Sequence, residues 1–113
     1  MSDSNTDNAL IELAAAALGL EGFWDTVPGV TPSRKAFYLE CHAAGTMTWT
    51  SEWNPLRDDH TRYGLIRELG LLTRNRHLLD KHIAALKVAG MPEALAVDRA
   101  IVCAAAEVGQ GRR

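Results

Sequence analysis

The sequence predicts an α+β domain in which helices cover a small antiparallel sheet. Alanine-rich apolar patterns at helical spacing lie near both ends of the 113-residue chain, and an amphipathic run lies at its centre. Short segments rich in aromatic residues and threonine, which favour strands, lie between the N-terminal pattern and the central run. Residues 1–113 should form one domain, because smaller pieces could not bury a core. We expect residues 1–6 to be disordered and residues 110–113 to fray.

The first helix is predicted at residues 7–18. Leucine and alanine recur there at helical spacing, Thr6 is a suitable N-cap, and Gly19 supplies the left-handed residue that ends many helices. Because its face is rich in alanine, this helix should lie close to its neighbour. We expect that neighbour to be the sheet.

Three strands are predicted after the first helix. Residues 22–27 form the first strand, a proline-rich connection follows at 28–34, and residues 36–42 form the second. The apolar face of the second strand carries Phe37, Leu39 and Cys41. The threonine-rich segment at 46–50 is the third strand, which we expect to pair with the second as a hairpin that turns at residues 43–45.

The segment TSEWNPLRDDHTRYGLIRELG, residues 50–70, predicts a turn followed by the central helix. Pro55 fixes its own φ and moves Asn54 out of the helical region, so the pair forms a turn. Asp58 or Asp59 should then accept free backbone N–H groups at the helix start. Gly70 ends or tightens the helix. The expected buried stripe is Tyr63, Leu65, Ile66, Leu69 and Leu72, and the expected solvent-facing residues are Arg62, Arg67 and Glu68.

The segment after the central helix has two interpretations. Alternation over residues 72–79 fits a strand, as in an α-β-β-α-β-α-like arrangement, whereas residues 77–89 as a helix place several apolar residues on one side. The last helix is predicted to start near Pro92 and to end at Gly109. Its expected apolar stripe is Leu95, Ile101, Val102, Ala105 and Val108. Cys103 lies among small residues and should be a buried, unreactive thiol.

Charge and composition argue against several classes of protein. A net charge of −2 and a pI of about 6.0 disfavour a general nucleic-acid binder, which needs a basic surplus. The acidic N-terminus resembles no signal peptide, and no apolar run is long enough to span a bilayer, so we expect no membrane partner. Cys41 and Cys103 belong to no CxxC pattern, which is typical of a reduced cytoplasmic protein.

Candidate catalytic residues are few. Asp58, Asp59 and His60 could form a metal-dependent hydrolytic site, but the spacing identifies no further ligands. Cys41 and His42 are neighbours on a strand and should point to opposite faces. The chain contains no HExxH, GxGxxG or Walker motif. We therefore expect a protein without cofactor, metal or enzymatic activity.

Candidate partner-binding residues are more numerous. Tryptophan and arginine are typical interface anchors. The arginines at 57–76 could meet an acidic protein or nucleic acid, although nearby carboxylates dilute their charge. The candidate residues are Trp49, Trp53, Arg57, Arg62, Arg74 and Arg76. The alanine-rich helix could also pack on a symmetry mate, so a homodimer is a further expectation.

Three segments, at the start, centre and end of the chain, form a recognisable combination: ALIELAAAALGL, WNPLRDDHTRYGLIRELGL and DRAIVCAAAEVGQ. Together they resemble a family of small phage and prophage proteins with a WNPLxDD motif, some of which are described as carrying a phage ABA sandwich domain. His60 and Thr61 replace the Gly-Asp that usually follows the two aspartates, and residues 71–91 match poorly. The resemblance implies a fold and a phage context. It implies no catalytic residues.

The resemblance implies an accessory protein that works in the cytoplasm of a bacterial host. We expect it to act by protein binding, for example as an inhibitor of a host or defence component of the anti-CRISPR type. One alternative is a nucleic-acid-binding module that uses the arginine-rich region at 57–76. Another is a small metal-dependent hydrolase at Asp58, Asp59 and His60.

Overall fold

The computed structural model describes residues 3–42 and 48–112, with side chains described for residues 6–39 and 50–112. The elements are α1 (Asp3–Ala17), β1 (Gly22–Thr26), β2 (Lys35–His42), β3 (Thr48–Glu52), α2 (Asp59–Leu69), α3 (Arg76–Val88) and α4 (Glu93–Gly111). The predicted α+β fold, with a small antiparallel sheet and helices from the start, centre and end of the chain, is confirmed.

The sheet has the order β1-β2-β3, and both neighbouring pairs are antiparallel. Trp24 lies opposite Phe37, and Tyr38 lies opposite Glu52. The predicted pairing of the second and third strands is confirmed, whereas their predicted turn at 43–45 lies outside the described residues. The Trp53 backbone N–H donates to the Phe37 carbonyl at 2.8 Å, which extends the β2–β3 ladder beyond β3.

Helix α1 packs mainly against α4, so the prediction that the sheet forms its main contact surface is wrong. Both helices bring small residues to their interface, and the backbone of Gly109 on α4 lies directly against the backbone of Leu13 on α1. The contact with the sheet is local: the indole N–H of Trp24 donates to the Glu12 carboxylate. Helix α1 begins at Asp3, four residues before the predicted start at residue 7.

The segment with two interpretations is helical. Helix α3 follows a turn in which the Asn75 side chain donates to the Leu69 carbonyl at 2.7 Å and the Asn75 backbone N–H donates to Gly70 at 2.9 Å. The helical spacing brings Leu79 into the core and packs Ile83 against it. Because α3 packs against α4, the strand interpretation of residues 72–79 is wrong.

Helix α4 is the central element of the helical layer, because α1, α2 and α3 all pack against it. The helix starts at Glu93, directly after Pro92 as predicted, but it continues past Gly109 to Gly111. Ile101, Val102 and Ala105 are buried as expected, whereas Leu95 is 59% exposed. Among the described residues, no helix is both long enough and apolar enough to cross a membrane.

Candidate functional site

The WNPL turn sets the start of α2. The Asn54 side-chain oxygen accepts from the Leu56 backbone N–H at 3.1 Å, and the Asn54 carbonyl accepts from the N–H groups of Arg57 and Asp58. Asp58 has extended backbone and is the N-cap of α2. Its carboxylate accepts from the His60 N–H at 3.3 Å. The predicted capping role of the paired acids is therefore confirmed for Asp58.

The two adjacent carboxylates have separate partners. The Thr61 hydroxyl donates to Asp58, and this hydrogen bond is the main reason that the pKa of Asp58 is lowered. Asp59 pairs instead with the guanidinium of Arg62. His60 is exposed. Among the side chains that the structure describes, those of residues 6–39 and 50–112, no group of three or more His, Cys, Asp or Glu is arranged to hold a metal ion.

Arg62 is buried, with 6% of its surface exposed, so the prediction that it points to water is wrong. Its Nη1 donates to the Pro55 carbonyl at 2.8 Å, and its Nη2 contacts Asp59 and lies 3.6 Å from a carboxylate oxygen of Asp98 on α4. The side chain thus joins the turn, α2 and α4. The buried face of α2 carries Arg62, Leu65 and Leu69, while Tyr63 is 58% exposed and lies outside it.

The two candidate tryptophans differ in what the structure describes. Trp53 is 9% exposed and packs against Phe37 with ring centroids 6.4 Å apart, so its ring is part of the core. The backbone of Trp49 belongs to β3 opposite Cys41, and its side chain lies outside the described side chains.

The candidate arginines do not form one surface. Arg57 is exposed before the first turn of α2, whereas Arg74 and Arg76 are exposed after its end. The 11 residues of α2 separate the two groups by about 16 Å. Arg74 donates to the Glu68 carbonyl at 3.0 Å, and Arg76 lies 3.6 Å from Asp80. With Arg62 buried, these side chains offer no continuous basic patch.

A surface that the sequence analysis missed lies on the sheet. Phe23 on β1 is 42% exposed and stacks on Tyr38 of β2, with ring centroids 5.9 Å apart and an interplanar angle of 27°. Strand alternation places this pair on the face opposite Trp24 and Phe37, which pack into the core. The two rings belong to a depression, here called the aromatic depression, lined by Phe23, Asp25, Thr26, Pro28, Tyr38 and Thr50.

The aromatic depression is acidic. Asp25 is exposed beside Phe23 and lines the depression, whereas the Glu52 carboxylate, on the residue opposite Tyr38, is paired with Arg34. Its described lining residues include neither lysine nor arginine. The alternation of Phe23 and Asp25 with Trp24 in the sequence was the available signal for this surface. Only the observed register shows that Phe23 and Tyr38 meet on it.

Glu107 and Cys103 also have shifted pKa values. A hydrogen bond from Lys81 at 2.8 Å, followed by one with His82 at 2.9 Å, lowers the pKa of Glu107, and this cluster joins α3 to α4. Cys103 is half-buried rather than buried as expected, and this partial burial raises the pKa of its thiol. Neither group adjoins the aromatic depression.

Comparisons of the chain with protein-family models, curated proteins and solved structures found no match. The phage resemblance of the WNPLRDD segment therefore stays a prediction. Function is best argued from the surfaces that the fold presents.

Proposed function

We propose that this protein is a binding module that engages a protein partner through the aromatic depression. The observation that carries the proposal is the stacking of the exposed Phe23 on the half-buried Tyr38, across two hydrogen-bonded strands. Aromatic side chains provide large contact areas at low cost in conformational entropy, and they are enriched at the energetic centres of interfaces.

The charge of the depression favours a protein over nucleic acid. Exposed aromatic rings on a sheet can also stack on bases, but such sites combine the rings with cations that neutralise phosphates. Here Asp25 lies beside the rings instead, and the described lining residues include neither lysine nor arginine. The expected partner surface is an apolar projection with a basic side chain beside it, because lysine or arginine would complement Asp25.

The biological setting of the proposal comes from the sequence. The resemblance to phage and prophage proteins supports an accessory protein acting in the cytoplasm of a bacterial host. An inhibitor of a host or defence component, of the anti-CRISPR type, is the specific form that we propose. A homodimer is less well supported, because the small-residue face of α1 is occupied by α4 within one chain.

The test compares three forms of the purified protein in binding to a partner recovered from host lysate. Phe23→Ser should weaken binding at least tenfold, the loss typical of an interface hot spot. Leu95→Ser is the matched control, because Leu95 is an exposed apolar residue on α4, away from the depression. It should bind as the unmodified protein does.

Two results would count against the proposal. One is the absence of any stoichiometric partner. The other is equal binding by Phe23→Ser and Leu95→Ser when circular dichroism shows that both are folded. Retention on heparin that is lost steeply with added salt would instead support the nucleic-acid alternative.

A further inference from the structure

A second concave surface lies between α1, the start of β2 and the WNPL turn, and it differs in charge from the aromatic depression. It has a volume of about 200 Å³. We call it the basic groove, because three cationic residues from two separate segments line it: Arg34, Lys35 and Arg57. The groove contains only one of the six partner-binding candidates, Arg57.

Two of these cations are available for a ligand. Arg34 lies 3.4 Å from Glu52 in an exposed ion pair. Within the described part of the chain, neither Lys35 nor Arg57 pairs with a carboxylate. Asp7, the other carboxylate in the groove, is already paired with Arg99 at 2.7 Å. The groove therefore offers unpaired positive charge beside carboxylates that have partners.

The opposite wall is apolar and fixed in position. Trp24 and Phe37 contribute aromatic rings whose centroids are 5.2 Å apart. The hydrogen bond from Trp24 to Glu12 on α1 holds the indole in place, so the wall exists before any ligand binds. An apolar body can lie against this wall while a negative group faces the cations. Preorganisation of this kind reduces the entropic cost of binding.

We infer that the basic groove binds a small monocarboxylate with an apolar body, such as an aromatic acid. Its volume is below the range of about 300–1,000 Å³ typical of sites for drug-sized ligands, so the ligand is small. A single negative charge fits better than two, because Asp7 and Glu52 border the same space. Arginine pairs well with a planar carboxylate, since its N–H groups match the two oxygens.

The test is a titration of the ¹⁵N-labelled protein with benzoate, followed by NMR. Saturable shifts should occur at the Trp24 indole N–H and at the backbone N–H groups of Lys35 and Arg57, with a Kd of about 1 mM for so small a ligand. Benzamide has the same shape without the charge and should bind at least tenfold more weakly. Phenyl phosphate, which carries more charge, should also bind more weakly than benzoate.

Variants separate the groove from general surface charge and from the aromatic depression. The double variant Lys35→Gln, Arg57→Gln should raise the benzoate Kd about tenfold or more, because charge-assisted hydrogen bonds are lost. Arg67→Gln removes an exposed arginine on α2 and should leave the Kd unchanged. Phe23→Ser should also leave it unchanged, so failure of the proposed partner surface would not affect this result.

Four outcomes would overturn the inference. They are the absence of saturable shifts up to about 50 mM benzoate, equal binding of benzamide, tighter binding of phenyl phosphate, and an equal loss of affinity in Arg67→Gln. The first would show that the groove takes no such ligand. The others would show that it does not select one carboxylate on an apolar body.

Discussion

The guanidinium of Arg62 donates a hydrogen bond to the carbonyl oxygen of Pro55 across 2.8 Å, within a part of the fold that excludes water from both groups. The same side chain contacts Asp59 at the start of α2 and lies near Asp98 on α4. One arginine therefore satisfies acceptors from the turn, its own helix and the central helix. Its planar fork of N–H donors suits this arrangement.

Replacing Arg62 by alanine should lower the free energy of unfolding by about 2–4 kcal/mol, because the stem packing and the buried hydrogen bonds are lost together. Arg62→Lys should recover only part of the loss, since lysine lacks the fork. Urea denaturation measures both effects. Arg67→Ala, an exposed arginine on the same helix, is the control and should stay within about 0.5 kcal/mol of the unmodified protein. A loss no larger than that of the control would contradict the proposed joining role.

Sequence periodicity predicted where α2 lies and part of its buried face, because Leu65 and Leu69 are buried as expected. Tyr63 and Leu72 were expected to be buried but are exposed, while Arg62 was expected to be exposed but is buried. The rotation of α2 is fixed by its packing on α4 and by the turn that Arg62 joins, and both are long-range contacts. At this one turn of α2, local hydrophobicity therefore selects Tyr63, whereas the buried residue is its neighbour Arg62. The cap at Asp58 was predictable because it depends only on adjacent residues.

Gly109→Ala should be strongly destabilising. A Cβ atom at Gly109 would overlap the backbone carbonyl of Leu13, so α1 and α4 would have to move apart. Overpacking of this kind costs about 1–3 kcal/mol or more. Gly64→Ala is the matched control: Gly64 lies within α2, and a Cβ atom added there would meet nothing within 4 Å, so alanine should stabilise the protein by about 0.5–1 kcal/mol. The melting temperature should fall in Gly109→Ala and rise in Gly64→Ala. Equal shifts in the two variants would contradict the explanation that Gly109 permits a close approach of α1 and α4.

Gly109 also shows why the end of α4 was predicted wrongly. Glycine ends helices when it adopts a left-handed conformation, as Gly70 does with φ 60°, but it also permits two backbones to approach. The sequence alone does not show which of these two roles a glycine has. The close approach at Gly109 depends on Leu13, which is remote in the chain. The same limit applies to Phe23 and Tyr38, whose pairing depends on strand register.

Asp58→Ala should lower the melting temperature at neutral pH, because the capping acceptor of α2 is removed. Asp58→Asn retains an acceptor oxygen and should lie between the alanine variant and the unmodified protein. The pKa of Asp58 is lowered in the folded state, chiefly by the Thr61 hydroxyl, so its stabilisation is present above the ordinary aspartate pKa and is lost as pH falls through the folded value. The difference in melting temperature between the unmodified protein and Asp58→Asn should thus shrink below about pH 3.9. A constant difference down to pH 2 would rule out a charge contribution.

Glu107→Gln should weaken the packing of α3 on α4, because Glu107 accepts from Lys81 and contacts His82. The groups are partly solvated, so screening should limit the loss at neutral pH to at most about 1 kcal/mol. The pKa of Glu107 is lowered, mainly by Lys81, so the stabilisation is present above the ordinary glutamate pKa of about 4.3 and disappears as pH falls below it. Denaturant unfolding from pH 7 to pH 3 should show the free energies of unfolding of the unmodified protein and of Glu107→Gln becoming equal. Glu68→Gln, whose carboxylate lies 3.9 Å from Arg67, is the control and should change stability less at pH 7. An equal loss in both variants would show that the Glu107 cluster contributes no more than an ordinary surface pair.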